Sequence, residues 1–160
     1  MKITVIAAVA KNGIIGIDNK IPWDCKGDME HFKRTTSGGI VVFGHNTWAG
    51  LPLKPLPNRT NVVISQIYPK GPQADGSIVF ESLAEVLAHF KDASEIFICG
   101  GAMLYNATLP IADELIYTII NAEPDGDTKF PEVDWSKWQK TFSEPHPDFE
   151  ITKWQRIKSA

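Results

Sequence analysis

Five stretches of the chain are apolar almost without a break: residues 2–10 (KITVIAAVA), 40–43 (IVVF), 61–65 (NVVIS), 77–80 (SIVF) and 95–99 (EIFIC). They are short and rich in Ile, Val and Phe. None alternates polar with apolar, so none can lie half in water; each reads as a strand buried on both faces. Between them lie segments with helical spacing, at 27–36, 46–51, from Ser82 onward, and 102–108. Strand–helix–strand alternation makes neighbouring strands parallel, because a parallel pair needs a crossover. The pattern changes after residue 113. A long strand at 113–122 is followed by two more, 138–143 and 149–158, around EPHPD with no helix between. That ending predicts an antiparallel edge. The expected architecture is α/β, one domain over residues 1–160. It has a mostly parallel twisted central sheet of about eight strands, an antiparallel C-terminal edge hairpin and about four flanking helices.

Composition narrows the function classes. The chain is 43% hydrophobic, enough for a core, and its net charge of -3 argues against a general nucleic-acid binder. Any anion site must therefore be local. Cys25 and Cys99 form neither a disulfide framework nor a C-x-x-C metal pair, so both read as reduced thiols of a cytoplasmic protein without a metal. The start, MKITVIAAVAKNG, mimics a secretion signal, but its single Lys2 and its Ile, Val and Thr content favour a buried strand. No other apolar run approaches membrane-spanning length.

Two strand–glycine–helix turns carry the first hint of a ligand. FICGGAMLYNATL runs from a strand through Gly100 and Gly101 into a helix, and VVFGHNTW does the same through Gly44. A helix start offers unpaired N–H groups and partial positive charge, and glycine lets an anion approach them. Each turn is also an ordinary tight turn, and Thr47 is equally a helix cap or a hydroxyl for a phosphate. Neither matches G-x-G-x-x-G or a P-loop. Two such turns in one small α/β domain suit a dinucleotide at the carboxyl ends of the strands.

Asp28 carries the second hint. It lies beside Phe32 at helical spacing, on a helix that starts near Gly27 and is closed by Ser37, Gly38 and Gly39. The ordinary role of such an acid is a helix cap, but Asp24 or the loop backbone can cap instead. Lys33 and Arg34 are too far along the helix to face it. A carboxylate in an apolar pocket without a cation has a raised pKa. Its use is to accept two adjacent N–H donors as a pair, such as the 2-amino-pyrimidine edge of a pterin.

Taken together the motifs resemble the bacterial-type dihydrofolate reductases over almost the whole chain. The residues IAAVAKNGIIGIDNKIPWDCKGDMEHFK are similar to that family's first strand, mobile loop and first helix. VVFGHNTW, PLPNR, ICGGAMLY and DGDTKFP resemble its later motifs in order. The resemblance implies a dihydrofolate-reductase-like fold and NADPH-dependent reduction of 7,8-dihydrofolate to tetrahydrofolate, with antifolates as inhibitors, in a monomer that binds neither nucleic acid nor membrane. It implies that Asp28 holds the pterin as an electrostatic anchor and that Trp23 fixes a water beside it. Thr118 bridges by water. Ile6, Ala8 and Cys99 offer backbone groups to pterin and nicotinamide, with Tyr105 close by. Met29, Phe32, Leu51 and Leu56 wall the channel for the benzoyl ring, although core is the simpler role for each. Arg59 clamps the glutamate carboxylate, with Lys33 helping at longer range.

For the cofactor, the resemblance implies a loop from Ile15 to Lys20, with Gly16 and Asn19, that closes over the nicotinamide with support from Asp127. It implies phosphate contacts from Gly44, Asn46 and Thr47, and from Gly100, Gly101, Ala102, Leu104 and Tyr105, with a cis peptide at Gly100–Gly101. The 2′-phosphate end departs from the pattern: His45 stands for a basic residue, Gln66 follows Ser65, and Met103 replaces a frequent arginine. Histidine titrates near pH ~6.5 when unperturbed. A modest preference for NADPH over NADH is therefore expected, weakening between about pH 6 and 8. DGD at 125–127 lacks the further ligands of a calcium loop. Two rivals remain, a pyrimidine reductase of riboflavin synthesis and a non-catalytic pterin or nucleotide sensor. The pairing of Trp23 with Asp28 and the PLPNR arginine favour the folate enzyme.

Overall fold

The computed structural model describes residues 1–18 and 20–158. In chain order the elements are β1 (Lys2–Ala10), β2 (Ile14–Gly16), α1 (Lys26–Thr36), β3 (Ile40–Gly44), α2 (His45–Ala49), β4 (Thr60–Ile64), β5 (Gly71–Pro72), β6 (Ser77–Phe80), α3 (Leu83–His89), β7 (Glu95–Ile98), α4 (Ala102–Thr108), β8 (Glu114–Ile120), β9 (Thr128–Lys129), a 3-10 turn at Trp135–Lys137, β10 (Trp138–Pro145) and β11 (Phe149–Arg156). A nine-stranded sheet has the order β10-β11-β8-β1-β7-β3-β4-β6-β5. Its six central strands, from β8 to β6, are mutually parallel. β10 and β11 close one edge antiparallel, and β5 closes the other. β2 and β9 form a separate pair.

The unbroken apolar runs become strands covered on both faces. Val5, Ala7 and Val9 of β1 pack with Ile96, Ile98 and Leu115, beneath Val86 of α3 and Leu104 of α4. The opposite face has Ile6, Val41, Phe43, Phe97 and Ile116, beneath Phe32 of α1 and Trp48 of α2. Helices therefore cover both faces, and the carboxyl ends of β1, β3 and β7 open on one side. β7 returns between β1 and β3, which places the crevice where the strand order reverses.

α1 begins at Cys25 without a side-chain cap; the Met29 N–H donates to the Cys25 carbonyl at 3.1 Å. It ends where Gly38 takes a positive φ of 77°. α3 starts as its sequence predicts, with the Ser82 hydroxyl accepting from the Glu85 N–H at 3.2 Å. The return bond is displaced by one residue, since the Glu85 carboxylate accepts from the Glu81 N–H at 3.1 Å. β2, β5 and β9 are elements that the sequence pattern leaves as loop. Each is two or three residues long, too short to show a period.

Candidate active site

The two glycine turns touch. Gly44 donates its N–H to the Gly100 carbonyl at 2.7 Å, and Cys99 donates to Val42 at 2.9 Å. The Gly100–Gly101 peptide is cis. A side chain at Gly101 would lie 2.7 Å from the Thr47 Oγ1, so only glycine fits against α2 there. The N-cap of α2 is Gly44, so Thr47 does not hold the cap position, and its hydroxyl lies at the junction of the turns. Behind them Tyr105 donates its hydroxyl to the Ile6 carbonyl at 2.8 Å, tying α4 to β1 beside the crevice. Burial holds that phenol neutral, well above its ordinary range, with Cys99 and Asp28 adding to the effect. Burial likewise pushes the Cys99 thiol up, and the thiol donates weakly to the Phe97 carbonyl at 3.5 Å.

Asp28 projects from the first turn of α1 and is 9% exposed. Burial alone raises its carboxyl from 3.8 to about 6; no cation or hydrogen-bond donor among the described residues offsets it. One turn on, Phe32 shares an apolar cluster with Ile6, Leu51, Leu56 and Cys99. Trp23 and Ala8 join the adjoining cluster, with Ile120, Phe149 and Ile151. Ala8 lies opposite Thr118 in register, and Thr118 is buried. Strand alternation puts Thr118 on the α1 face, since Ile116 and Ile120 belong to the clusters on that side. Met29 is 62% exposed. Lys33 is exposed as well.

Arg59 lies at the mouth of the groove, half-buried. It donates from Nε to the Pro57 carbonyl at 2.9 Å and from Nη1 to the Thr36 hydroxyl at 3.1 Å, with its guanidinium 5.9 Å from the Phe32 ring. The Asn61 side chain braces the approach to it, accepting from the Leu56 N–H at 2.9 Å and donating to the Leu56 carbonyl at 3.0 Å. Sequence alone does not reveal this brace, because Asn61 reads simply as the start of a strand.

On the other side of the glycine turns, His45 Nδ1 lies 2.9 Å from the Ser65 Oγ, and its ring packs on Tyr68 with centroids 4.3 Å apart. Tyr68 carries no periodic signal in the sequence. Its place is set by Ser65, whose Oγ accepts from the N–H groups of Ile67 and Tyr68, both at 3.0 Å. Gln66 is exposed, and Met103 is 89% exposed. Asn46 is exposed and Ala102 half-buried, while the Leu104 side chain belongs to the core. In the loop after β1, Ile15 is half-buried and Gly16 buried, with Lys20 exposed; Asn19 lies outside the described residues. The Asp127 carboxylate accepts from the Asp18 N–H at 3.0 Å, and its own N–H donates to the Gly16 carbonyl at 3.1 Å. The Asp18 N–H and then the Thr128 hydroxyl hold the Asp127 carboxyl below its ordinary value.

A crevice with paired glycine turns on one wall and a lone buried carboxylate on the other fits a dinucleotide beside a heterocycle. The family model for dihydrofolate reductase matches residues 2–156. The chain belongs to the dihydrofolate reductase family. A dihydrofolate reductase type 3 of Salmonella typhimurium is 44% identical over 149 residues, which cover 92% of this chain and 89% of that protein. The dihydrofolate reductase of Neisseria gonorrhoeae is 41% identical over 144 residues, covering 88% of this chain and 85% of that one. Among solved structures, dihydrofolate reductase from Enterococcus faecalis, complexed with NADP(H) and RAB-propyl, superposes with a TM-score of 0.90. It is 32% identical, with 98% of this chain and 97% of that chain covered. The family fold is thus the one found here, including the mostly parallel sheet and its antiparallel edges.

Proposed function

We propose that the chain reduces 7,8-dihydrofolate to tetrahydrofolate with NADPH, and that Asp28 is the group on which substrate recognition turns. The observation that carries this reading is a buried carboxylate with no protein partner, raised to about 6 by burial. In the ionised form it accepts both N–H donors of a pterin edge, and a charge-assisted pair is about twice as strong as a neutral one. Protonated, it loses that grip. Its negative charge also favours a proton on the pterin ring, which is what reduction at C6 with protonation at N5 requires. Trp23 and the buried Thr118 are the polar groups that this reading gives to ordered water beside the carboxylate. Phe32, Leu51, Leu56 and Cys99 supply the apolar wall, and the unused N–H groups of Arg59 face outward for a carboxylate.

The junction of Gly44, Gly100 and Gly101, bare of side chains, fits the phosphates of NADPH, and Thr47 adds a hydroxyl there. When bound, that cofactor supplies the hydride. Ser65 determines what His45 offers to it. The Ser65 Oγ accepts two N–H bonds, so its own hydrogen goes to His45 Nδ1, and the ring keeps its remaining N–H on Nε2. The His45 Nε2–H is thus left to donate to a 2′-phosphate. Asp127 holds Gly16 and Asp18 of the loop, and β9 pairs with β2 at its start.

The reading extends to a cytoplasmic monomer of one domain, inhibited by antifolates. Its support is two free thiols, the absence among the described residues of any helix long and apolar enough to cross a membrane, and the donor edge that a 2,4-diaminopyrimidine shares with a pterin. The test is an absorbance assay of NADPH loss with dihydrofolate added, run on the parent and on Asp28→Asn. Turnover in the parent and its collapse in the variant are expected. Equal turnover in both would remove Asp28 from the mechanism.

A further inference from the structure

His31 is 6% exposed, yet its Nε2 has no hydrogen-bond partner among the described residues. Its Nδ1 lies 3.3 Å from the Thr35 hydroxyl. In either tautomer one ring nitrogen is therefore buried and unpaired. That state costs on the order of 1–3 kcal/mol, which a leucine or phenylalanine would avoid.

The ring sits where α1 packs on the C-terminal hairpin. Gly27, one turn earlier, lies against Phe149 of β11: a side chain there would come 2.5 Å from its Cε1. His146, in the turn, stacks on the same Phe149 ring with centroids 4.3 Å apart and 9° between planes. The charged and titratable groups facing His31 are Lys153 from β11, Arg34 from α1, Glu144 from β10 and His146 from the turn. Only Glu144 attracts a proton to the ring, and it is itself engaged by His146 at 3.3 Å. A charged His31 would bring two N–H groups to a place with one acceptor, the Thr35 hydroxyl, close to Lys153 and Arg34. Burial first, then those two cations, hold the ring below its ordinary value of 6.5. The site favours the neutral ring.

We propose that His31 is a proton-operated clasp between α1 and the C-terminal hairpin, and through it a positioning residue for Asp28. Charging drives the ring out from between the two elements and releases the helix face that it pins. Asp28 stands three residues earlier on the same helix, so its carboxylate moves with that face. The inference rests on the role of Asp28 given above. It adds a second proton to the acid loss of substrate: one on the carboxyl of Asp28, one on the ring of His31.

The experiment follows the dissociation constant of dihydrofolate from pH 8 to 5 in the parent and in His31→Phe, which keeps an aromatic ring and cannot titrate. One proton weakens binding by about tenfold per pH unit, two by up to about a hundredfold. The parent should approach the steeper limb, while H31F binds within about threefold of the parent at pH 8 and shows the shallower limb. Matching limbs overturn the clasp. A second measurement stands even if H31F does not fold. In long-range nitrogen–proton spectra of the parent, the His31 ring should titrate with the same midpoint as the amides of residues 26–36 and the ring signals of Phe149. A His31 that charges while those signals stay still overturns the proposal. The spectra need no turnover, so a chain without reductase activity would refute the enzymatic reading in the assay and still leave the clasp decided.

Discussion

Replacing Asp28 with asparagine should make the protein more stable while it destroys the activity. The carboxyl loses its proton near pH 6 in the fold and near 3.8 when exposed. Its folded value is raised, so the native state holds a proton that the unfolded chain releases between those two values. Stability therefore falls as pH rises through that window, and the full penalty is present above about pH 6. A separation of about two pH units corresponds to about 3 kcal/mol at pH 7. Asparagine has nearly the same shape and cannot ionise, but its amide is also unpaired there, which takes back about 1 kcal/mol or more. A net gain of about 1–2 kcal/mol at pH 7 follows, equivalent to roughly 3–6 °C in melting temperature for a domain of this size. The assay is urea unfolding of both proteins from pH 4 to 8, beside kcat/KM for dihydrofolate at pH 7. The stability difference should shrink steadily below pH 6 and lose its ionisation part near pH 4. Catalytic efficiency should fall at least a hundredfold, from the loss of a charge-assisted pair, about 3 kcal/mol. A variant whose stability relative to the parent does not change with pH would refute the account of a carboxylate held without a partner.

Arg59→Lys should raise KM for dihydrofolate by roughly 10–100-fold with kcat nearly unchanged, since an ammonium cannot present the paired donors of a guanidinium; steady-state kinetics with a substrate lacking its glutamate should show no difference between the two proteins. Gly101→Ala drives a methyl group against the Thr47 hydroxyl, 2.7 Å away, and should cost about 1–3 kcal/mol in thermal unfolding. Adding Thr47→Ala to that variant should restore most of the loss, and purely additive effects would contradict the contact. With the His45 ring held by Ser65 and Tyr68, the ratio of kcat/KM for NADPH over NADH should be modest and fall by about threefold or more in His45→Ala. An unchanged ratio would take the ring out of cofactor selection.

What the sequence discloses follows from which forces act locally. The runs 40–43 and 77–80 announce parallel strands because strands covered on both faces need apolar residues at every position, and composition records that directly. The 102–108 helix and the Ser82 cap are equally local. The β2–β9 pair is not: it joins residues more than a hundred positions apart, and Gly126 permits it only by letting two backbones approach closely. Asp28 is legible through an absence, that of a cation at helical spacing. Met29 is its counterpart, an apolar residue of α1 that stays largely exposed and joins none of the buried clusters. Helical phase near a helix start does not decide which residues the next layer covers.

His31 carries no local signature of its burial. In the sequence it is one polar residue in a helix that already carries Lys33, Arg34 and Glu30, and nothing marks it as buried. The fold removes it from water and leaves its Nε2 without a partner among the described residues. Both buried titratable groups of α1 are thus held at a cost to the fold, Asp28 and His31 standing about one turn apart, and both respond to acid. For Asp28 acid relieves the penalty and removes the pterin's anchor. For His31 acid imposes the penalty and loosens the helix. The stability curve and the binding curve should therefore separate below pH 6.5. Asp28 alone makes the protein sturdier as it lets go of substrate, whereas His31 makes it weaker over the same step. The sign of the change in stability between pH 7 and 5.5, compared in parent, D28N and H31F, decides which group governs.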